Sequence, residues 1–315
     1  MSSLLDFEKP IAELEGKVKE LRHLANGSDL DLDEEIARLE GRAAKLLSQT
    51  YAKLTAWQKA QVARHPDRPH LKDYVELLVE DFTPLAGDRC FGEDPAIVGG
   101  LGRLRGRAVL LLGHEKGAET EDRVRHNFGM ARPEGYRKAA RLMRLAERFR
   151  LPVVSLVDTP GAHPGVRAEE RGQAEAVARS IETGLSLTVP FVAVVVGEGG
   201  SGGAIALAAA DRVLMLEHAI YSVISPEGCA AILWRDAAQA PTAAEALKLT
   251  GQDLLHHGLV DEIVEEPLGG AHRGRGTTIN RVGDAIERHL AALAGLDGGE
   301  LRRQRRDKYL QMGRA

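Results

Sequence analysis

The stretch PFVAVVVGEGGSGGAIALAAADRVLML, residues 190–216, decides the fold of this chain. Its apolar, β-branched run at 191–196, bounded by proline and glycine, predicts a strand buried on both faces. The glycine-rich segment at 197–203 predicts a turn. Small apolar residues at 204–210 predict a short helix packed close to a sheet, and residues 213–216 predict the next buried strand. The stretch therefore predicts a strand, a glycine turn, a helix N-terminus and a second strand.

Three functional interpretations fit the glycine-rich segment. A G-x-G-x-x-G pattern at 197–202 is typical of dinucleotide binding when it follows a strand. A G-x-S-x-G pattern at 199–203 matches a nucleophile elbow, with Ser201 as the nucleophile. In the third interpretation, the backbone N–H groups of Gly202 and Gly203 form an oxyanion hole, because a helix N-terminus presents unpaired N–H groups. These three interpretations and a purely structural turn all remain open from this segment alone.

Composition restricts the class of protein. The 315 residues are 43% hydrophobic and 28% charged, as in an ordinary globular chain, and the net charge of −4 gives no basic field to attract nucleic acid. Cys90 and Cys229 form neither a metal-ligand spacing nor a disulfide framework, so we expect no metal site. No apolar run is long enough to span a membrane, and the charged N-terminus does not resemble a signal peptide. We therefore expect a cytoplasmic protein that contacts no membrane.

The hydrophobic pattern divides the chain into three parts. Apolar residues recur at helical spacing on both sides of a turn at 25–28, which predicts an N-terminal helical hairpin over 1–60. Strands alternate with helices through much of the core, 61–295, including one long helix over 168–187, which predicts an α/β fold with parallel strands. Residues 61–107 are expected to be irregular apart from a short helix at 74–79 and a strand at 97–98 that leads into a glycine turn at 99–102. The basic C-terminal tail, 296–315, is expected to be a solvated helix face.

Seven segments carry a specific resemblance to a known family. They run in order along nearly the whole chain: GHEKG (113–117), NFGMARPEGYRKAARLM (127–143), DTPGAHPG (158–165), AEERGQAEA (168–176), GEGGSGGA (197–204), SVISPEGCAAILWRDA (222–237) and EPLGGAH (266–272). Together they resemble the alpha subunit of the carboxyltransferase component of acetyl-CoA carboxylase.

The resemblance implies a fold, a reaction and partners. It implies a crotonase-type spiral of ββα units over the core. It implies transfer of a carboxyl group from carboxybiotin, on a biotin carboxyl carrier protein, to acetyl-CoA, giving malonyl-CoA for fatty-acid biosynthesis. Biotin and acetyl-CoA would be substrates, and no covalently bound cofactor is expected. The implied partners are a zinc-ribbon beta subunit, as two alpha plus two beta chains, together with the carrier protein and biotin carboxylase.

Site residues follow from matching the glycine segment to the family. The backbone amides of Gly202 and Gly203 would form the catalytic oxyanion hole, which stabilises negative charge on the biotin ureido oxygen. The expected substrate-binding residues are Gly199, Gly200, Ser201, Gly161 and Ala162.

Three residues depart from the family pattern. His163 stands where the pattern has tyrosine, while Ala118 and Glu121 replace basic residues after the GHEKG segment. We expect these departures to affect the rim of the active site and to leave the glycine segment intact.

The competing interpretations make different demands on the sequence. A serine hydrolase would need Asp253 with His256 or His257 to activate Ser201. Dinucleotide binding would need a longer crossover helix than the residues between Gly203 and Asp211 allow. A non-enzymatic scaffold also remains open, since half of a shared active site resembles a binding module.

Overall fold

The apolar strands of this chain assemble into one eight-stranded sheet in the computed structural model, which describes residues 4–26 and 32–313. The strands are β1 (Val79–Pro84), β2 (Ile97–Leu104), β3 (Arg107–His114), β4 (Val153–Thr159), β5 (Phe191–Gly200), β6 (Arg212–Leu216), β7 (Ile220–Ser222) and β8 (Glu262–Val264). Their order is β1-β2-β3-β4-β5-β6-β8, and β7 pairs with the end of β5. The pairs β1–β2 and β2–β3 are antiparallel, and all later pairs are parallel.

Helices cover this sheet and form the N-terminal part of the chain. They are α1 (Lys9–Asn26), α2 (Asp33–Tyr51), α3 (Ala56–Ala63), α4 (Leu71–Leu78), α5 (Thr120–Arg125), α6 (Pro133–Arg148), α7 (Val166–Glu170), α8 (Gln173–Ser186), α9 (Ser201–Ala208), α10 (Pro226–Trp234), α11 (Ala240–Leu247), α12 (Gly251–His256), α13 (Arg275–Leu293) and α14 (Gly298–Gln311). Among the described residues, no helix has both the length and the apolar character needed to cross a membrane.

The central strands are buried because parallel strands are covered on both faces. Every residue of β4 is buried, and so is β5 from Phe191 to Gly199. Helix α9 packs against β4 and β5, α8 packs against α9, and α6 packs against α8, β2 and β3. This arrangement explains the continuous apolar runs in the sequence, because a strand with both faces buried needs no polar alternation.

The glycine segment is a strand where the sequence analysis expected a turn, and that expectation was wrong for residues 197–200. These residues complete β5. A Cβ on Gly197 would collide with the Asp158 carboxylate, and one on Gly199 would lie 2.7 Å from the Tyr221 ring. Glycine is therefore required here for close approach of neighbouring groups within the sheet.

Two other expectations for local structure were also wrong. Residues 61–107 contain the expected short helix, as α4, and the expected strand, as β2, but β1 was missed and β2 continues through the glycines that were expected to form a turn. The single helix expected over 168–187 is divided at Gly172, whose φ of +78° interrupts the helix between α7 and α8. Glycine tolerates this left-handed conformation at little cost.

The N-terminal helices α1 and α2 pack against each other through Val18, Ile36 and Leu39. The connecting turn, expected at 25–28, lies partly outside the described residues. Helix α3 crosses the expected domain boundary at residue 60 and packs against α11 of the core, where the Ala56 N–H donates to Glu245 at 2.9 Å. The N-terminal part is therefore joined to the core by a helix that belongs to both.

The C-terminal residues form α14, and one of its cations is buried in the core. The Arg305 side chain is fully buried and donates to both carboxylate oxygens of Asp211 at 2.9 and 2.7 Å. It also donates to the carbonyl oxygens of Gly184, Leu187 and Val189. The expectation of a solvated helix face was therefore wrong for this arginine, although Arg302, Arg303 and Arg306 are exposed.

Candidate functional site

The carboxyl ends of β4 and β5 bring together two segments that are forty residues apart in the sequence. The strands run parallel, with Thr159 opposite Gly199. The residues after β4 therefore lie beside the residues that connect β5 to α9. In open α/β sheets this edge is where ligands bind.

The two segments make close backbone contact. A Cβ on Gly200 would collide with the carbonyl group of Pro160, and one on Gly203 would lie 2.8 Å from the amide nitrogen of Ala162. The same position on Gly203 lies 2.8 Å from the buried Tyr136 hydroxyl oxygen. Gly161, Ala162, Gly200 and Gly203, which the sequence analysis predicted to share a site, are thus neighbours.

Helix α9 begins at this contact with unpaired backbone donors. Gly200 is its N-cap residue and has no side chain that could accept from the first N–H groups. Ser201 is exposed with φ of +50°, and Gly202 is partly exposed. Gly203 is buried. The first turn of α9 therefore offers the positive end of a helix dipole to a group at its N-terminus.

Two of the predicted binding residues differ from the others in their surroundings. The N–H of Gly161 already donates to the Thr159 hydroxyl at 3.1 Å. Gly161 also has a φ of +147°. Gly199 is buried beneath the Tyr221 ring. Both residues shape the backbone around the site, and neither offers a free N–H group as directly as the first turn of α9.

An ion-pair network lies beside these glycines. Lys116, after β3, contacts Asp158 at 2.7 Å and Glu198 at 2.9 Å. Arg64, after α3, contacts Glu198 at 2.6 Å and Glu227 at 2.5 Å. These five residues, from three strand ends and two helix ends, fix the backbone that surrounds the site.

The network keeps Glu198 and Lys116 ionised. Burial opposes ionisation of Glu198, but the Lys116 ammonium and the Arg64 guanidinium outweigh it and lower the pKa of Glu198 to about 2. Burial also opposes the charge on Lys116, but Asp158 and Glu198 raise its pKa above the ordinary value. A carboxylate held this strongly ionised is a poor proton acceptor near neutral pH. The network is therefore suited to electrostatic positioning.

A cleft of about 240 Å³ opens beside the network. Its walls come from the segment 63–70, from Lys116 and Gly117, and from Phe128, Asp158, Pro160 and Glu198. Phe128 is about half exposed and contributes an apolar part of the wall. The cleft can thus receive a group with both polar and apolar parts. It would lie beside Pro160, whose carbonyl approaches Gly200, the N-cap residue of α9.

The three departures from the family pattern lie on the segments that follow β3 and β4. His163 Nδ1 accepts a hydrogen bond from the Asn127 side-chain N–H at 2.9 Å. Burial, and to a lesser extent the charge of Arg132, lowers the pKa of His163. Ala118 is exposed on the loop before α5, and Glu121 is exposed in the first turn of α5.

The residues that a serine hydrolase would require do not meet Ser201. Asp253 accepts from the hydroxyl of Thr250 at 2.7 Å within the start of α12, while His256 and His257 are exposed at the end of that helix. Within the described residues, no histidine bonds to Ser201. The structure therefore gives no support to the nucleophile interpretation.

One cluster has the composition of a metal site. Ligand atoms of Glu8, His65 and His272 lie within 4.8 Å of one another. Glu8 already accepts from the Tyr51 hydroxyl at 3.0 Å and faces the Arg273 guanidinium at 3.4 Å. The Arg273 guanidinium already supplies positive charge to Glu8, as a metal ion would. We therefore assign the cluster a structural role, in which it joins the N-terminal segment to the core.

Sequence reasoning identified the glycine segment and missed the network beside it. Lys116, Asp158 and Glu198 follow or end three consecutive strands of the sheet, and that placement was a usable signal. Arg64 lies far away in the sequence, and no motif connects it to Glu198. The placement of the Tyr136 hydroxyl beside Gly203 depends on tertiary packing, so it has no local signal in the sequence.

Comparisons with known proteins agree with this architecture. Transcarboxylase 12S, solved with methylmalonyl-coenzyme A and methylmalonic acid bound, matches 71% of this chain and 42% of its own, with a TM-score of 0.58 and 22% identity. The Pseudomonas malonate decarboxylase hetero-dimer matches 70% of this chain and 89% of its own, with a TM-score of 0.56 and 17% identity. These likenesses confirm the crotonase-type fold expected for the core.

Sequence relatives cover the whole chain. The acetyl-coenzyme A carboxylase carboxyl transferase subunit alpha of Rhodospirillum centenum is 66% identical over 98% of both chains. The protein of the same name from Paramagnetospirillum magneticum is 62% identical over 99% of this chain and 98% of its own. The family model described as acetyl co-enzyme A carboxylase carboxyltransferase-like matches residues 4–313. The chain therefore belongs to the acetyl-CoA carboxylase carboxyltransferase family and groups with its alpha subunits.

Proposed function

We propose that this chain is the half of a biotin-dependent carboxyltransferase that receives carboxybiotin and passes its carboxyl group toward acetyl-CoA, giving malonyl-CoA. The observation that carries the proposal is the close approach of the Gly161–Ala162 backbone to the first turn of α9 beside a charged cleft. Carboxybiotin would arrive on a biotin carboxyl carrier protein, after its carboxylation by biotin carboxylase. This function belongs in the cytoplasm, where fatty-acid synthesis draws on malonyl-CoA.

The chemistry requires stabilisation of two oxyanions. Loss of the carboxyl group leaves negative charge on the ureido oxygen of biotin, and deprotonated acetyl-CoA carries charge on its thioester oxygen. We assign the biotin oxyanion to the N–H groups of Gly202 and Gly203, because preorganised backbone donors at a helix N-terminus stabilise developing charge with little reorganisation. Ser201, Gly200, Gly199, Gly161 and Ala162 would line the surrounding pocket.

The side chains near the site would act by position and charge. Glu198 is paired twice, and its pKa, held at about 2 against the opposing effect of burial, makes it an unsuitable base. The biotin anion itself can take the proton from the acetyl methyl group, so the reaction needs no basic residue from this chain. Lys116 and Arg64 would hold the ends of β3, β4 and β5 in register while charge develops.

A second polypeptide would supply the other oxyanion hole. We propose a zinc-ribbon beta subunit in an assembly of two alpha and two beta chains. Four apolar side chains on and before α10 support an interface close to the site: Val223, Ile232, Leu233 and Trp234 are between 44% and 73% exposed. Apolar groups this large are seldom left clustered in water.

The test is malonyl-CoA decarboxylation with biocytin as acceptor. The purified chain is assayed alone and then with the zinc-ribbon partner, and light scattering confirms the complex. We expect activity only in the complex, because one oxyanion hole cannot orient both substrates within roughly 3–3.5 Å of each other. Full activity from the isolated chain would contradict the shared site. A stable complex without activity would contradict the proposed reaction.

A further inference from the structure

A second cleft, lined by arginines, lies between α6, α8 and the loop at 85–93. Its volume is about 480 Å³, and it shares no lining residue with the cleft at the glycine segment. Five guanidinium groups surround it, together with two carboxylates. The arginines are Arg89, Arg137, Arg141, Arg144 and Arg179. We call this the arginine cleft.

Two of the five arginines have carboxylate partners. The Arg137 Nε donates to Asp88 at 2.8 Å, and Arg179 pairs with Glu175 at 2.9 Å and with Glu182 at 2.7 Å. Both carboxylates that line the cleft, Asp88 and Glu175, are thereby engaged. No lining carboxylate is left to neutralise the other three arginines.

Those three arginines are held by neutral groups or face the solvent. Arg141 donates to the carbonyl oxygens of Gly87 and Leu85 at 3.1 and 3.0 Å. Arg144 donates to the Thr183 hydroxyl at 3.1 Å, and Arg89 is exposed. Within the described residues, none of the three forms an ion pair. Burial and then the charge of Arg89 lower the pKa of Arg141, against the smaller opposing effects of Glu93 and Asp88, so Arg89 and Arg141 repel each other.

The loop keeps Arg89 at the cleft in spite of this repulsion. Asp88 accepts backbone N–H bonds from Cys90, Phe91 and Gly92 at 2.8–2.9 Å, which fixes the turn. Arg89 itself has φ of +63°, a left-handed conformation that is costly for a residue with a side chain. Such conformations persist where the surrounding structure enforces them, often at ligand sites.

We propose that the arginine cleft binds a small molecule with two or more adjacent phosphate groups. Guanidinium forks match phosphate oxygens in a bidentate geometry, and three arginines without an ion-pair partner among the described residues suit a diphosphate. The cavity is larger than two phosphate groups need, so an organic portion fits as well. No aromatic side chain lines the cleft for base stacking, which favours a small ligand over single-stranded nucleic acid.

The first experiment measures binding of inorganic pyrophosphate to the full chain by calorimetry, with orthophosphate as the comparison. The double variant Arg89→Gly, Arg144→Gln removes two uncompensated cations, and glycine suits the backbone at position 89. Arg42→Gln is the control, because Arg42 is exposed on α2 and lines no part of the cleft. We expect pyrophosphate to bind more tightly than orthophosphate, and the double variant to lose affinity by about tenfold or more. Arg42→Gln should bind as the unaltered chain does.

A second set of titrations identifies the source of the phosphates, using ADP and coenzyme A. An affinity for ADP or coenzyme A that is higher than that for pyrophosphate, and that falls in the double variant, supports an organic portion within the cleft. Equal affinities support recognition of the diphosphate alone. The proposal is overturned if pyrophosphate does not bind, if the double variant binds it unchanged, or if Arg42→Gln loses as much. It is also overturned if an RNA oligonucleotide binds far more tightly and competes for the same arginines. All of these readouts are independent of carboxyl transfer.

Discussion

The amide nitrogen of Ala162 lies 2.8 Å from the position that a Cβ would occupy on Gly203. This spacing leaves no room for a side chain between Ala162, in the segment after β4, and the first turn of α9. Gly202, the adjacent residue, has more space. A Cβ there would meet only the Val177 methyl group at 3.4 Å, which is close to an ordinary contact.

We expect the two glycines to respond differently to substitution by alanine. In Gly203→Ala the added methyl group would press on Ala162 and on the Tyr136 hydroxyl, which costs about 1–3 kcal/mol of unfolding free energy as overpacking. It would also tilt the oxyanion donors, and turnover should fall by about 10²–10³. Turnover is measured in the decarboxylation assay and stability by urea unfolding.

Gly202→Ala is the matched control. Its methyl group points toward α8, so the backbone N–H stays in place, and we expect stability within about 0.5 kcal/mol of the unaltered chain and most of its activity. Equal activity in Gly203→Ala would remove this turn from the proposed mechanism. Equal damage in both variants would show that space at Gly203 is not the deciding feature.

The parts of this site that could be predicted from the sequence are those formed by residues close together in the chain. The glycine segment and the 158–165 segment were recognised from local patterns, since each follows a run of buried strand residues. Their contact follows from parallel pairing of β4 with β5. The two ion pairs of Glu198 with Lys116 and Arg64 join residues 82 and 134 positions apart, and no local pattern encodes such distances.

The fold shows the same limit. Burial of β3 through β6 was readable from apolar runs, and the α/β class followed from alternation. The glycines of β2 and of β5 were expected to form turns, because sequence alone does not reveal that Phe82 and Asp158 approach their backbones.

Ser201→Ala should keep most of the carboxyltransferase activity, because no proposed step requires its hydroxyl to attack. Ser201→Gly should be as stable as the unaltered chain or more so, since φ is +50° there and glycine accepts that conformation without strain. Activity is measured in the complex, and a fluorophosphonate probe tests for a reactive serine. Labelling at Ser201, or a loss of several orders of magnitude in Ser201→Ala, would restore the hydrolase interpretation.

The Glu198 carboxylate should make stability depend on pH in acid. Its pKa in the folded chain is about 2, below the ordinary value of 4.5, because Lys116 and Arg64 outweigh the opposing effect of burial. A carboxyl group whose pKa is lower in the folded chain stabilises the fold at pH values above its ordinary pKa. That stabilisation is lost as the pH falls from about 4.5 to about 2. We expect Glu198→Gln to flatten the dependence of unfolding free energy on pH in this window.

The measurement is urea unfolding at a series of acidic pH values for both chains. Glu182→Gln is the control, since Glu182 is exposed and its ion pair with Arg179 lies on the surface of α8. Surface pairs contribute little, so this variant should follow the unaltered chain. Parallel curves for Glu198→Gln and the unaltered chain would mean that the network does not hold this carboxylate ionised.

Arg305 should be the residue through which α14 stabilises the core. All five of its N–H donors are used, two on Asp211 and three on the carbonyl oxygens that end α8 and lead into β5. Arg305→Met would leave the Asp211 carboxylate buried without its cation, which costs about 3–5 kcal/mol. Arg306→Met is the control, because Arg306 is the exposed neighbour on the same helix and should change stability by less than about 0.5 kcal/mol. Urea unfolding compares the two variants, and similar midpoints for both would mean that α14 is held by its apolar contacts, with the buried ion pair adding nothing.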